Sequence, residues 1–152
     1  MNKVVTMDDI IPIISQKLSA KGQVVFAPKG ISMYPTLVGN RDSVTLQAIE
    51  DEVKKYDIVL YKRTSGEYVL HRVIGVEKNS YVMRGDNQIV AEAGISRAQI
   101  IARVVQYNKR GVVYNCGSMK ERLYSFFIVK TARMRRFYYR LRRKIGRIIH
   151  GR

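Results

Sequence analysis

The strongest fold signal in the chain is the stretch Tyr68-Val69-Leu70-His71-Arg72-Val73-Ile74. It is rich in β-branched and aromatic residues, and this composition predicts a strand. Similar short runs recur between residues 23 and 114, separated by turn signals that contain glycine or asparagine. The predicted strands cover residues 24–26, 43–47, 57–62, 68–74, 81–84, 100–107 and 112–114. Many short strands at this spacing predict a mainly β body of barrel or sandwich type.

A helix is predicted on each side of this body. Residues 6–18 combine an acidic first turn with recurring isoleucines, and Gly22 ends the pattern. The segment from about residue 118 has a helical period, with a basic ridge opposite an apolar stripe. The stripe consists of Phe127, Met134, Tyr138, Leu141, Ile145 and Ile148, and the ridge of Arg133, Arg136, Arg140, Arg143 and Arg147. We therefore divide the chain into a helical segment (1–22), a β domain (23–117) and a basic tail (118–152).

The 152 residues carry a formal net charge of +16, and this charge is unevenly spread. Residues 120–152 hold 12 lysines and arginines against the single acid Glu121. One cysteine, Cys116, cannot form an internal disulfide, and no cluster has the spacing of metal ligands. No stretch resembles a signal peptide or a membrane span. We expect a cytoplasmic protein without metal or cofactor.

Ser32 is the candidate nucleophile, because it lies in a segment that turns between a glycine and a proline. Glycine lets the backbone approach a substrate closely, and proline fixes the geometry behind the serine. The backbone N–H of Ser32 is a candidate donor to a developing oxyanion. The simpler interpretation is a turn serine that caps the backbone. The neighbours predicted to bind substrate are Gly30, Ile31, Met33 and Pro35.

His71 is the candidate general base, since an imidazole with a near-neutral pKa can accept a serine proton. Strand alternation places it on one face with Val69 and Val73. A histidine with a purely structural role in the core is the alternative. Arg72 would point to the opposite face and pair with surface groups.

Two carboxylates compete to orient this imidazole. Asp86 lies on the Gly-Asp-Asn turn at residues 85–87, and Glu92 follows six residues later. A carboxylate of this kind would complete the set of hydroxyl, imidazole and acid used by serine hydrolases. The sequence does not choose between the two residues.

Residues 30–37 resemble the Ser-Met-x-Pro-Thr box of the type I signal peptidases. Residues 56–60 resemble the next strand of these enzymes, residues 69–75 their general-base box and residues 84–87 their closing box. The boxes occur in the right order and cover roughly residues 22 to 107. Histidine at position 71, where the bacterial housekeeping enzymes have lysine, is similar to the branch found in the endoplasmic reticulum, archaea and some Gram-positive bacteria.

The resemblance implies Ser32 as nucleophile, His71 as base, an acid beyond Gly85 as orienter, and the barrel-type β fold shared with self-cleaving repressor proteases. Three features differ from the signal peptidases proper. The chain has no membrane anchor, glycine stands at position 30 where many bacterial members carry a hydroxyl residue, and Ala91-Glu92 replaces the acid pair of the endoplasmic-reticulum branch. We therefore expect an endopeptidase that processes a dedicated peptide or protein precursor.

Other functions remain open at this point. The β body could be a peptide-binding module without catalysis, and a self-cleaving repressor is disfavoured because no DNA-reading domain is evident. The basic tail suits an anionic membrane surface, with nucleic acid as the rival partner. Its apolar stripe could also dock on the β body.

Overall fold

The computed structural model describes the backbone of residues 7–150 and the side chains of residues 7–142. In chain order its elements are α1 (Met7–Ser19), β1 (Val24–Phe26), β2 (Ser43–Gln47), β3 (Ile58–Lys62), β4 (Tyr68–Val76), β5 (Tyr81–Arg84), β6 (Glu92–Ile95), a 3-10 turn (Arg97–Gln99), β7 (Ile100–Lys109), β8 (Val112–Asn115) and α2 (Met119–His150). The mainly β body and the two helices are confirmed. β6 was not predicted, because Glu92-Ala93-Gly94-Ile95 contains a single β-branched residue.

The eight strands form one antiparallel sheet in the order β1-β2-β7-β3-β4-β5-β6, and β8 pairs with β7. β1 and β6 are the two ends of the sheet, and no pairing joins them within the described residues. The prediction of a barrel-type body is therefore wrong, since the sheet is not closed. Closure requires a continuous hydrogen-bonded ladder between the end strands. β1 and β6 have only three and four residues.

The central strands β3 and β4 separate two hydrophobic clusters. Ile58, Leu60 and Leu70 face the first cluster, which also receives Ile14 and Leu18 of α1. The alternate residues of β3 and β4 face a second cluster, which contains Val59, Tyr61, Val73 and Met83. Both faces of β4 are covered as a result, and two neighbouring polar residues on this strand are buried in different environments.

Helix α2 lies against the body along one narrow face. Glu121, Ser125, Ile128 and Ala132 are buried at steps of four, three and four, which is the spacing of a single helical face. Tyr107 Oη donates a hydrogen bond of 2.6 Å to Glu121, and Arg84 donates one of 2.9 Å to the carbonyl oxygen of Val129. The docked face is thus narrow and combines two polar with two apolar side chains.

The predicted apolar stripe is not the face that docks. Its described members Phe127, Met134, Tyr138 and Leu141 are exposed. On the basic ridge, Arg133 and Arg140 are exposed, whereas Arg136 Nη1 donates to the carbonyl oxygen of Asn87 at 3.4 Å. Ile145, Ile148, Arg143 and Arg147 lie outside the residues whose side chains are described.

Candidate active site

The serine loop, residues 27–42, connects β1 to β2 and is closed at its base by backbone hydrogen bonds. Gly39 N donates to Gly30 O at 2.8 Å, and Asn40 N donates to Pro28 O at 2.9 Å. Gly30 has φ of +81°, and a Cβ on Gly39 would lie 2.4 Å from Gly30 N, so both positions require glycine. Met33 and Leu37 anchor the loop in the first hydrophobic cluster. The loop therefore holds its central residue in a defined position.

Ser32 is half-buried in this loop, and its backbone is fastened to the turn that follows β5. Asn87 N donates to Ser32 O at 2.8 Å, and Asn87 Nδ2 donates to Ile31 O at 3.3 Å. A Cβ on Gly85 would lie 2.6 Å from Ser32 O, so only glycine permits this approach. Within the described part of the chain, no hydrogen bond involves the Ser32 hydroxyl. Among these residues the structure thus shows no hydrogen bond between the Ser32 hydroxyl and His71.

His71 projects from β4 and is only 1% exposed. Its Nδ1 lies 3.2 Å from the hydroxyl oxygen of Tyr61 and 3.5 Å from Oε1 of Glu92. Tyr61 is positioned by the antiparallel register, in which Val59 pairs with His71 and Tyr61 follows on the same face of β3. Glu92 is the first residue of β6. Both polar partners of the imidazole therefore lie on one side of the ring, at Nδ1.

Burial lowers the pKa of His71 to about 4, and the negative charge of Glu92 opposes this shift. The hydrogen bonds from Arg63 hold the pKa of Glu92 below its usual range. At neutral pH a neutral imidazole thus faces an ionised carboxylate. A neutral imidazole carries one N–H, and a carboxylate at Nδ1 favours that nitrogen as its site. Nε2 is then the unprotonated nitrogen, which is the state required of a general base.

Arg63 fixes the carboxylate of Glu92, and Tyr61 lies beside the imidazole. Arg63 Nε donates to Glu92 Oε2 at 2.8 Å, and Arg63 Nη2 donates to Oε1. The Tyr61 hydroxyl lies 3.2 Å from His71 Nδ1, and burial raises the pKa of this phenol. Sequence reasoning missed both residues. The β3 and β4 alternation could have placed Tyr61 beside His71, but the contact of Arg63 depends on β6, which the sequence did not predict.

Asp86 is held by Arg72 rather than by the imidazole. Arg72 Nε and Nη2 donate to the two Asp86 oxygens at 2.8 and 2.7 Å, and Thr36 Oγ1 donates at 2.5 Å. Arg72 also donates to Ser125 Oγ at 2.6 Å. Of the two carboxylates left open by the sequence, the structure brings Glu92 to His71. The prediction that Arg72 pairs with surface groups is wrong, since Arg72 is 1% exposed under the serine loop and α2.

An apolar cavity of about 680 Å³ adjoins Ser32. Its walls come from α1, β1, the serine loop and the start of β4. Leu60 and Leu70 line it from the first hydrophobic cluster, so the cavity lies mainly on the face of β4 opposite to His71. Among the predicted substrate-binding residues, Gly30 and Met33 line this cavity. Ile31 points to solvent, and Pro35 O accepts a hydrogen bond from Lys109 Nζ at 2.6 Å.

No protein-family profile matches the chain, and a search of curated proteins returns no match. Among the described residues, no group of three histidine, cysteine or acidic side chains could hold a metal ion. No helix in the described part combines the length and apolar character needed to cross a bilayer. The geometry of the site is therefore the main basis for the function proposed below.

The contrast between the two carboxylates predicts a difference in stability. We expect Asp86→Asn to lower the free energy of unfolding by about 3–5 kcal/mol, because it leaves the Arg72 charge buried without a partner. Glu92→Gln is the matched control, and its partly exposed pair with Arg63 should cost about 1 kcal/mol or less. Urea unfolding of both variants measures this difference. Equal losses would contradict the assignment of Asp86 to the buried framework.

The lowered pKa of His71 predicts a pH dependence of stability. Between pH 6.5 and about 4 the unfolded chain binds a proton at this residue that the folded chain does not. Stability should therefore fall as the pH drops through this window, by about 3 kcal/mol from His71 alone. His71→Gln should remove that contribution in urea unfolding at pH 7 and pH 4. An unchanged pH dependence in the variant would show that His71 titrates normally.

Proposed function

We propose that the protein is a serine endopeptidase of the signal peptidase-like type, with Ser32 as nucleophile, His71 as general base and Glu92 as the orienting carboxylate. The observation that carries the proposal is the placement of Glu92 at Nδ1 of a buried imidazole. The order of the four sequence boxes and the residues in them support the same assignment.

The first chemical step transfers the Ser32 Oγ proton to His71 Nε2 while Oγ attacks the scissile carbonyl carbon. The resulting imidazolium is stabilised by Glu92, which is ionised and 3.5 Å from Nδ1. The backbone N–H of Ser32 donates to the oxyanion. A donor of this kind contributes about 3–4 kcal/mol to the transition state in other hydrolases.

Collapse of the tetrahedral intermediate breaks the C–N bond, and the imidazolium gives its proton to the leaving amine. Water then attacks the acyl ester, with His71 again accepting the proton and returning it to Ser32 Oγ. Tyr61 acts as a positioning residue, because its hydroxyl lies 3.2 Å from His71 Nδ1. It fixes the ring plane without contacting the substrate.

The substrate class follows from the edge beside Ser32. β1 is an end strand of the sheet and lines the cavity with its exposed Val25. An extended peptide can add to such an edge by main-chain hydrogen bonds and place alternate side chains in pockets. The apolar cavity therefore favours an apolar side chain upstream of the scissile bond, and the family resemblance implies a small residue directly before it.

Cleavage of a proteome-derived peptide library, read by mass spectrometry, tests the assignment. We expect Ser32→Ala and His71→Ala each to lower kcat by at least about 10⁴, and Glu92→Gln by about 10²–10⁴. Ser80→Ala is the matched control, since Ser80 lies on a distant exposed hairpin. Unchanged cleavage by Ser32→Ala would reject the nucleophile. Peptide binding without turnover by the wild-type protein would identify a binding module instead.

The pH profile tests the base separately. His71 must be neutral to accept a proton, and burial lowers its pKa to about 4. We expect kcat/KM to stay level from neutral pH to about pH 5 and to fall about tenfold per pH unit below pH 4. Tyr61→Phe should move this acidic limb without abolishing activity. A limb near pH 6.5 would contradict the buried environment of the base.

A further inference from the structure

We propose that α2 binds flat on an anionic lipid bilayer, with its exposed apolar face in the interface and the β body on its opposite side. This goes beyond peptide hydrolysis, since it assigns the protein a second binding surface. The proposal is supported by the way α2 packs, because the face that contacts the body is not its most apolar face. The helix buries a narrow face of mixed polarity against the body and leaves most of its large apolar side chains exposed.

The uncovered side chains form one continuous face. They share one side of the helix and are all exposed, with the exposed Lys130 lying between Phe127 and Met134 on the same side. The set consists of Leu123, Phe126, Phe127, Met134, Phe137, Tyr138 and Leu141. Residues two apart on a helix differ by about 200°. Leu123 and Phe127 are therefore nearly opposite the buried Ser125, as Met134 is opposite the buried Ala132. Most globular proteins bury such a face.

The charge of the helix identifies the partner. Residues 120–152 carry 12 lysines and arginines, and their one acid, Glu121, is buried against Tyr107. The exposed Arg133 and Arg140 lie beside the apolar face. A basic helix with phenylalanine, tyrosine and leucine on one side fits the interface of an anionic bilayer, where its apolar side chains enter the headgroup boundary.

Two other occupants fit less well. A second copy would have to bring together two helices that each carry a large positive charge. A nucleic acid could contact the exposed Arg133 and Arg140, but it would leave the aromatic and aliphatic side chains of the apolar face uncovered. Arg135 and Arg136 are turned inward and donate to the carbonyl oxygens of Asp86 and Asn87 at 3.0 and 3.4 Å.

The docked face links lipid binding to the serine loop. Tyr124 Oη lies 3.2 Å from Thr36 Oγ1, and the rings of Tyr139 and Tyr34 lie 5.7 Å apart. Because α2 contacts this loop directly, a membrane-bound helix would hold the serine loop near the bilayer surface. A substrate anchored in the same bilayer would then reach the groove.

Co-sedimentation of the full chain with lipid vesicles tests the proposal. We expect binding to mixed phosphatidylcholine–phosphatidylglycerol vesicles, weak binding to pure phosphatidylcholine, and loss of binding with rising salt. The triple variant Phe127→Ser/Phe137→Ser/Leu141→Ser should lower the partition coefficient at least about tenfold, because binding scales with buried apolar area. Circular dichroism verifies that the variant stays helical.

The matched control is Val112→Ser/Val113→Ser, which removes exposed apolar side chains from the β8 hairpin. It should bind vesicles like the wild type. Equal pelleting by the triple variant would overturn the proposal, as would a dimer in solution that the triple variant abolishes. Tight binding to duplex DNA that the triple variant leaves unchanged, without binding to vesicles, would assign the helix to nucleic acid. Peptide cleavage is measured on the same preparations, so that failure of lipid binding is distinguishable from failure of catalysis.

Discussion

The buried ion pair between Arg72 and Asp86 is the constraint on which the rest of the site depends. It joins β4 to the turn after β5, and Thr36 and Ser125 attach the serine loop and α2 to the same pair. Two opposite charges inside a protein are stable only when nearly all their hydrogen-bonding positions are used. Here each segment supplies one of those bonds. The segments that build the site are therefore held in one arrangement.

Two neighbouring residues on β4, His71 and Arg72, are buried in different environments. Arg72 faces the framework under α2, while His71 faces the second hydrophobic cluster with Tyr61 and Glu92. This division follows from strand geometry, because successive side chains point to opposite faces. It also explains why the two carboxylates have different roles. Asp86 neutralises a permanent cation, and Glu92 faces a group whose charge can change during a reaction.

Much of the fold was predictable from local sequence, because the β-branched runs and glycine turns mark individual strands. Closure of the sheet was not predictable, since it depends on how two short end strands meet in space. The sequence left the choice between Asp86 and Glu92 open for a related reason. Asp86 lies on the turn and Glu92 follows it, and only the pairing of β6 with β5 brings Glu92 to the imidazole. Arg72 was misplaced because alternation indicates a face but not what covers it.

Helix α2 is a second case in which the sequence pattern did not identify the contact that forms. Its helical period was predicted correctly, but the body binds a different face, where polar and apolar side chains are buried together: Glu121, Ser125, Ile128 and Ala132. A hydrophobic pattern identifies a helix that needs a partner; it does not identify that partner.

The proposed endopeptidase activity depends most on a reactive hydroxyl at Ser32 that is activated by His71. A fluorophosphonate carried on a short apolar peptide, followed by intact-mass and peptide-mapping analysis, measures this directly. We expect one adduct, on Ser32, in the wild-type protein and a strongly slowed reaction in His71→Ala. An adduct on another residue, or a rate on Ser32 that is indifferent to His71, would contradict it.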